Sequence, residues 1–441
     1  MRTVDTVLKA RWIIPVEPPN AVLEDHALVI DQHRIVDILP IIAAADRYDA
    51  RSSLELGAHA LIPGLINAHT HAAMSLLRGL ADDLPLMAWL KEHIWPAEAR
   101  WVNETFTYNG TLLAIAEMLR GGITCFNDMY YFPEVAARAA VAAGMRACVG
   151  LIVVDFPTVY ASNADEYISK ALSLHDDYKG DALIATAFAP HAPYTVADEA
   201  LMRIRTYADE LDIPVHMHVH ETADEIAQSI KAHGGRPLQR LAGLGLVSPA
   251  LLAVHMTQLT DADIESAASA GAHVLHCPES NLKLASGFCP AQKLLTAGVN
   301  VALGTDGAAS NNDLDMFGEM RTAALLAKAV AGDATALPAA SALRMATLNG
   351  AIALGLSDEI GSLEIGKLAD IVAVRLDEIE SVPLYDPISQ LIYATGRDKV
   401  SDVWIAGQPV LKDRRLTTID SIELYAKVRA WNARIREFKG Q

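Results

Sequence analysis

Two textures of hydrophobic and polar positions follow one another along the chain. Up to about residue 60, apolar residues come in short runs, at 6–10, 27–30 and 34–38, separated by Pro, Asn, Asp and His. Short strands joined by turns give this pattern. From Ala60 onward, apolar runs of four to eight residues alternate with Ala-rich amphipathic stretches. The runs predict strands at 61–67, 124–128, 146–153, 183–189, 214–220, 251–255, 273–276 and 299–305. The stretches between them predict helices at 106–120, 133–143, 164–176, 197–211, 222–233, 261–270 and 290–297. Several end on glycine (Gly121, Gly144, Gly234, Gly271, Gly298), as helix C-termini favour.

Eight buried strands of parallel type, each followed by a helix, define an α/β fold: a (β/α)8 TIM-type barrel. A doubly wound open sheet would need fewer strands and a Gly-rich phosphate turn, and neither G-x-G-x-x-G nor a Walker pattern is present. Two further helices are expected at 317–330 and 337–354, after which short strands return at 371–374, 402–405 and 410–411. The two β-textured ends are expected to pair into one small β-sandwich beside the barrel. The expected division is therefore 1–60 with 365–415 as the sandwich, 61–364 as the catalytic barrel, and 416–441 as a closing helix that Ser421 can cap.

Composition narrows the class. The 441 residues are 51% hydrophobic, enough for one large domain and a smaller one. A net charge of −18 argues against nucleic acid or an anionic membrane as partner. Cys125, Cys148, Cys277 and Cys289 form no C-x-x-C pair and read as free thiols in a reducing compartment. No signal-peptide pattern opens the chain and no run of 18 apolar residues occurs, so the cytoplasm is expected. Barrels of this size are compatible with homo-oligomers, and the sequence leaves the assembly open.

The chemistry begins in the fifth predicted strand, where His216, His218 and His220 alternate and Glu221 follows. Residues two apart on a strand share a face, so the three imidazoles are expected to point one way. Other predicted strand ends supply His69 and His71, His191, His255 and Asp306. An H-x-H alone arises easily in a chain with 15 histidines. Five strand ends converging on the face where barrel enzymes build their sites point to a metal centre. Imidazoles of His69, His71 and His218 with the Asp306 carboxylate suit Zn2+, with Fe2+ or Mn2+ as alternatives. Such an ion lowers the pKa of bound water to about 7. Glu221 is placed to move a proton, and His255 to hold the water or a developing oxyanion. The fourth strand, 183–189, holds no lysine that could bridge a second metal, so one ion is expected.

These residues resemble the amidohydrolase superfamily over nearly the whole chain. Pro63-Gly64-Leu65-Ile66-Asn67-Ala68-His69-Thr70-His71 is close to its first metal motif, and Gly304-Thr305-Asp306-Gly307 to its last. Ile94-Trp95-Pro96-Ala97-Glu98, His191-Ala192-Pro193-Tyr194 and His276-Cys277-Pro278-Glu279-Ser280-Asn281 are similar to the 5-methylthioadenosine/S-adenosylhomocysteine deaminases, near the triazine hydrolases. The resemblance implies a metal held by His69, His71, His218 and Asp306, with Glu221 as proton shuttle and His255 as water partner. Asp306 then counts with Glu221 and His255 among the catalytic groups. Glu98 would take the ribose hydroxyls, His191 would hydrogen-bond the substrate, Trp89 would wall the base, and His218 would also face the substrate. His216 and His220 are not metal positions of the family, and His276 is read as structural. The implied reaction is hydrolytic deamination of a purine nucleoside, by attack of a metal-bound hydroxide on C6, to the inosine analogue and ammonia.

The stretch 155–165, after the third strand, holds no Arg or Lys and carries Phe156, Val159 and Tyr160. A carboxylate-bearing substrate would want a cation there. The expected order is therefore 5′-methylthioadenosine, then adenosine, then S-adenosylhomocysteine. Guanine, an oxidised purine or an s-triazine are the alternatives within the branch, and a catalytically dead barrel used as a binding module is the alternative outside it. The full ligand and shuttle set argues against the dead barrel.

Overall fold

The computed structural model describes residues 1–439, so the last two residues of the closing segment 416–441 lie outside the described residues. Among the described residues, sixteen strands fall into two sheets of eight. The barrel strands are β5 (Leu65–Thr70), β6 (Ile123–Asp128), β7 (Arg146–Val153), β8 (Ile184–Pro190), β9 (Val215–Val219), β10 (Leu251–His255), β11 (His273–His276) and β12 (Val301–Leu303). They pair in parallel in chain order. Their near-continuous apolar sequences are buried on both faces, as strands covered by helices must be.

Backbone and side-chain hydrogen bonds close the seam between β12 and β5. Asp306 N–H donates to the His69 carbonyl (3.0 Å), Thr305 N–H to Asn67 Oδ1 (2.9 Å), and Thr70 Oγ1 to the Asp306 carbonyl (2.9 Å). The strands approach so closely that a Cβ on Gly304 would lie 2.6 Å from the His69 nitrogen. The seam is thus built from the residues flanking two of the candidate ligands.

The second sheet runs in the order β16-β15-β14-β13-β4-β1-β2-β3. It takes β1 (Arg2–Ile13), β2 (Leu23–Asp31), β3 (Arg34–Pro40) and β4 (Tyr48–Pro63) from the start of the chain. From the end come β13 (Ile371–Arg375), β14 (Val400–Ile405), β15 (Gln408–Lys412) and β16 (Arg415–Leu416). The pairing of the two ends runs through β4 and β13, antiparallel from Pro63 opposite Ile371 to His59 opposite Arg375. Arg146 at the start of β7 reaches Asp370 (Nε–Oδ2 3.1 Å), and Asp370 also accepts from the Ala406 N–H (2.7 Å). A buried ion pair thereby fastens the barrel to this sheet.

Four local expectations change, the first being that Asp420 rather than Ser421 caps the closing helix, its Oδ1 accepting from the Ile422 (2.9 Å) and Glu423 (3.0 Å) N–H groups. The run predicted as one strand over 61–67 divides at Gly64: 61–63 ends β4, and Leu65 begins the barrel. The helix expected at 337–354 is two, Ala339–Met345 and Leu348–Ala353. The break follows because the Ala346 carbonyl accepts from the Ile66 N–H (2.8 Å) and so serves the barrel. The left-handed residue after the helix Glu104–Arg120 is Gly122 (φ +82°), not Gly121.

Candidate active site

The site is assembled on strand ends. His69 sits near the end of β5, His71 follows it, His218 is on β9, His255 ends β10 and Asp306 follows β12. His255 (φ +72°) and Asp306 (φ +60°) have left-handed backbones, a conformation costly for such residues and typical of functional turns. The alternation expected of His216, His218 and His220 holds for the first two only. β9 stops at Val219, and the left-handed backbone of His220 (φ +55°) turns it out of register. The His220 ring instead accepts from the Leu238 N–H (3.0 Å) and faces the Gln258 carbonyl (3.1 Å).

One nitrogen or carboxylate oxygen from each of His69, His71, His218 and Asp306 lies within 4.8 Å of the other three. Asp306 Oδ1 is 3.3 Å from His69 Nε2 and 3.2 Å from His71 Nε2, and the Nε2 atoms of His69 and His218 are 3.3 Å apart. The opposite edges of the rings are tied down. Nδ1–H of His71 donates to the Met129 carbonyl (2.5 Å) and that of His218 to the His191 carbonyl (2.8 Å). In the neutral ring each Nε2 therefore presents its lone pair inward. His69 Nδ1 meets His216 Nε2 at 2.8 Å, giving His216 a supporting place behind a ligand. Asp306 Oδ2 accepts from Ser280 Oγ (2.6 Å), and Oδ1 from the Gly307 N–H (2.7 Å).

Lone pairs and a carboxylate converging in a buried space attract positive charge. Burial alone pulls the His71 imidazole down, yet the adjoining Asp306 carboxylate holds it up at about 9. Burial takes His69 down to about 4 and His218 well below its ordinary value, so both present neutral nitrogens. Three neutral-capable imidazoles and one carboxylate, oriented from behind, fit a divalent ion of the zinc type.

A pocket opens above this cluster, and every candidate except His69 lines it: His71, His218, Asp306, Glu221, His255, His191, Glu98 and Trp89. His69 is wholly buried beneath. Glu221 Oε2 lies 3.8 Å from His255 Nε2, and Nδ1–H of His255 donates to Asn281 Oδ1 (2.8 Å). Burial, then the negative Asp306, pushes the Glu221 carboxyl up to about 8, a range in which a carboxyl both accepts and releases protons near neutrality. His276 is buried and does not line the pocket.

The outer wall has a different origin. It comes from Leu86–Trp89 and Trp95–Trp101, two short helices joined by a π turn over Leu90–Ile94. Pro96 has no N–H for the Glu92 carbonyl, and its ring crowds that carbonyl, so the turn before it widens. Residues four apart drift by about 40° per step in a regular helix; the wider turn takes up part of that drift. Leu86, Leu90, Ile94 and Glu98 thus all reach the pocket. Trp89 is fixed by its Nε1–H to the Ala81 carbonyl (3.2 Å). Lys283 pins the preceding loop to the barrel rim through Asp82 (2.7 Å) and Asn312 (2.6 Å). Burial raises Glu98 to about 7, with the neighbouring Tyr130 hydroxyl pulling the other way.

Sequence reasoning missed Met129, Tyr130 and Tyr131, which follow β6 and line the pocket. They stand at a strand end like the other candidates, but tyrosines carry no charge near neutrality to draw attention. Tyr194 and Ile152 also line it, whereas the stretch 155–165 does not. Its Tyr160 packs against Phe132 and Tyr167 instead. The 5′ preference therefore has to be read from the lining itself. Among the described residues no lysine or arginine belongs to it.

An eight-stranded parallel barrel with a His-His-His-Asp cluster at its C-terminal rim is the frame of a metal-dependent hydrolase. The chain belongs to the amidohydrolase family, which matches residues 60–410. It is 53% identical to the 5-methylthioadenosine/S-adenosylhomocysteine deaminase of Teredinibacter turnerae, over 98% of each chain. The enzyme of that name from Syntrophobacter fumaroxidans is 45% identical, over 96% of this chain and 97% of its own. A crystal structure of an adenosine deaminase from Xanthomonas campestris with bound zinc superposes with a TM-score of 0.98 at 56% identity, covering 99% of both chains. The atrazine chlorohydrolase of Arthrobacter aurescens shares the fold, with a TM-score of 0.91 at 24% identity over 97% of this chain and 100% of its own.

Proposed function

We propose that the protein is a zinc-dependent hydrolytic deaminase of adenosine-type nucleosides, acting on 5′-methylthioadenosine first, adenosine second and S-adenosylhomocysteine less well. The observation that carries the reaction is the Glu221 carboxyl beside His255, above the four converging ligand atoms. The deaminase relatives in sequence and structure support the substrate class.

His69, His71, His218 and Asp306 hold the ion. When bound, a zinc ion supplies a water acidic enough to react near neutrality. Glu221 takes a proton from the attacking water and delivers it to purine N1 as the water oxygen adds to C6. A second transfer through the same carboxyl reaches the 6-amino group, which leaves as ammonia and gives the inosine analogue. His255, held by Asn281, hydrogen-bonds the adding oxygen and counters its developing charge. Asp306, anchored by Ser280, stands with Glu221 and His255 in this catalytic group. Glu98 accepts the ribose hydroxyls, His191 hydrogen-bonds the substrate, His218 also faces it, and Trp89 walls the base.

The 5′ preference follows from a lining that offers Met74, Ile94, Trp95, Ile152 and Leu284 and, among the described residues, no lysine or arginine. A thioether methyl gains from such surface, whereas an amino-acid carboxylate would enter it unpaired. We read the barrel that begins at Leu65 as the catalytic unit, and the sheet formed by the two chain ends, up to Pro63 and from Ile371 on, as its support. The net charge of −18 and four buried free cysteines support a cytoplasmic enzyme that does not bind nucleic acid or membrane. Ammonia release measured side by side on 5′-methylthioadenosine, adenosine, S-adenosylhomocysteine and guanine tests the reading. Fastest turnover of methylthioadenosine is expected. Equal turnover of S-adenosylhomocysteine would overturn the 5′ preference, and guanine turnover alone would overturn the substrate class.

A further inference from the structure

Behind the pocket, on the helix Met316–Ala331, the Glu319 carboxyl is completely buried, and its hydrogen-bond partners among the described residues are an amide side chain and a backbone N–H rather than a cation. An unpaired buried carboxyl is costly, and nothing in the proposed reaction uses it. Its two oxygens have separate tasks. Oε1 accepts from Asn311 Nδ2 (2.6 Å), and the same amide group donates to the Thr305 carbonyl (2.8 Å). Thr305 is the residue before Asp306. Oε2 accepts from the Glu279 N–H (3.3 Å), at the start of the helix Pro278–Lys283. That helix presents Ser280 to Asp306 (2.6 Å) and Asn281 to His255 (2.8 Å).

We infer that Glu319 is a positioning residue: one carboxyl that sets both the Thr305–Asp306 turn and the Ser280–Asn281 pair, and so aims Asp306 and His255 together. Each branch reaches the site through one intermediate group. The Asn311 branch fixes the backbone that carries the Asp306 ligand, and the Glu279 branch fixes the donor and acceptor that orient Asp306 and His255. The inference rests on the metal and deaminase reading above.

Both oxygens accept from N–H groups, so the test uses Glu319→Gln. The amide keeps the volume but has one acceptor only, and one tie must break whichever way it lies. Glu319→Ala breaks both. The purified full-length chain is titrated with zinc in competition with a chromophoric chelator, and its zinc-loaded form is assayed for ammonia release from 5′-methylthioadenosine. Supporting groups behind metal ligands typically matter by about 10–100-fold, so Glu319→Ala should lose about that much in zinc affinity and kcat, and Glu319→Gln about 3–10-fold, with KM changed less than about twofold. Met320→Ala, a buried neighbour on the same helix, should lower Tm yet leave zinc affinity within about twofold of the parent. Zinc affinity and kcat unchanged in Glu319→Gln would overturn the inference, as would an equal loss of zinc affinity in Met320→Ala. Should Glu319→Ala fail to fold, Glu319→Gln decides alone. If the parent deaminates none of the nucleosides, the reaction reading fails, and the zinc titration still decides the role of Glu319.

Discussion

The floor and the wall of the pocket are built by opposite means. The floor is polar and rigid: His69, His71, His218, His255 and Asp306 stand on or beside strand ends, each held from behind by a second group. The wall is apolar and irregular, made by short helical pieces around a π turn and by residues after β6. Strand ends of a closed barrel fix positions in common, so a metal-ligand set can be precise without long-range adjustment. A wall on connecting segments can change its shape without disturbing that set. Under the proposed function, the difference assigns chemistry to the floor and choice of substrate to the wall.

Ways to break that division run from the largest effect to the smallest. Asp306→Ala removes the carboxylate of the proposed ligand set, and ammonia release should fall below detection while zinc content, measured by elemental analysis, falls well short of one per chain. Glu221→Gln leaves the four ligands intact. It should therefore retain zinc while kcat drops by about 10²–10⁴-fold, the range of a lost proton carrier; a variant that also lost its zinc would mean Glu221 belongs to the ligand set. Glu98→Ala acts on the wall. It should cost about 10–100-fold in kcat/KM on nucleosides, the worth of hydrogen bonds to a charged group, with zinc content unchanged. Nearly intact nucleoside turnover in that variant would move the ribose contact elsewhere.

The smallest effect concerns the tie that holds the segment after β5 to the barrel. Glu117 pairs with Arg78 (Nη1–Oε1 3.1 Å) and with Arg397 (Nη1–Oε1 2.7 Å). Burial raises its pKa, but the two arginines outweigh burial and hold it below the ordinary carboxylate value. A depressed folded-state pKa contributes stability that is complete above the unfolded value and lost as pH falls through the folded one. Glu117→Gln should cost about 1–2 kcal/mol at neutral pH, and denaturant melts of parent and variant should converge as pH drops below the unfolded carboxylate value. A gap that stayed constant with pH would assign the loss to packing.

The contrast also explains what the sequence made legible. Barrel strands carry near-continuous apolar runs, so their number and order could be read, and with them the rim on which His69, His71, His191, His218, His255 and Asp306 meet. The pairing of the two chain ends was legible from their shared short-strand texture. The outward turn of His220 was not, because it depends on where β9 ends rather than on the alternation of residues. Nor was the break at Ala346, which follows from a carbonyl claimed by the barrel. Tyr130 and Tyr131 reach the pocket from a loop whose path only tertiary packing sets, and the exclusion of 155–165 from the lining has the same origin. Local pattern encodes the floor; the wall needs the assembled fold.

Zinc content and steady-state deamination of 5′-methylthioadenosine, measured on the same preparations of the parent, Glu98→Ala and Glu221→Gln, test the central claim most directly. The division between floor and wall predicts one zinc per chain in all three. It further predicts a collapse of kcat with little change in KM for Glu221→Gln, and a loss carried mainly by KM for Glu98→Ala. Equal collapse of kcat in both variants, or no loss in Glu221→Gln, would contradict it.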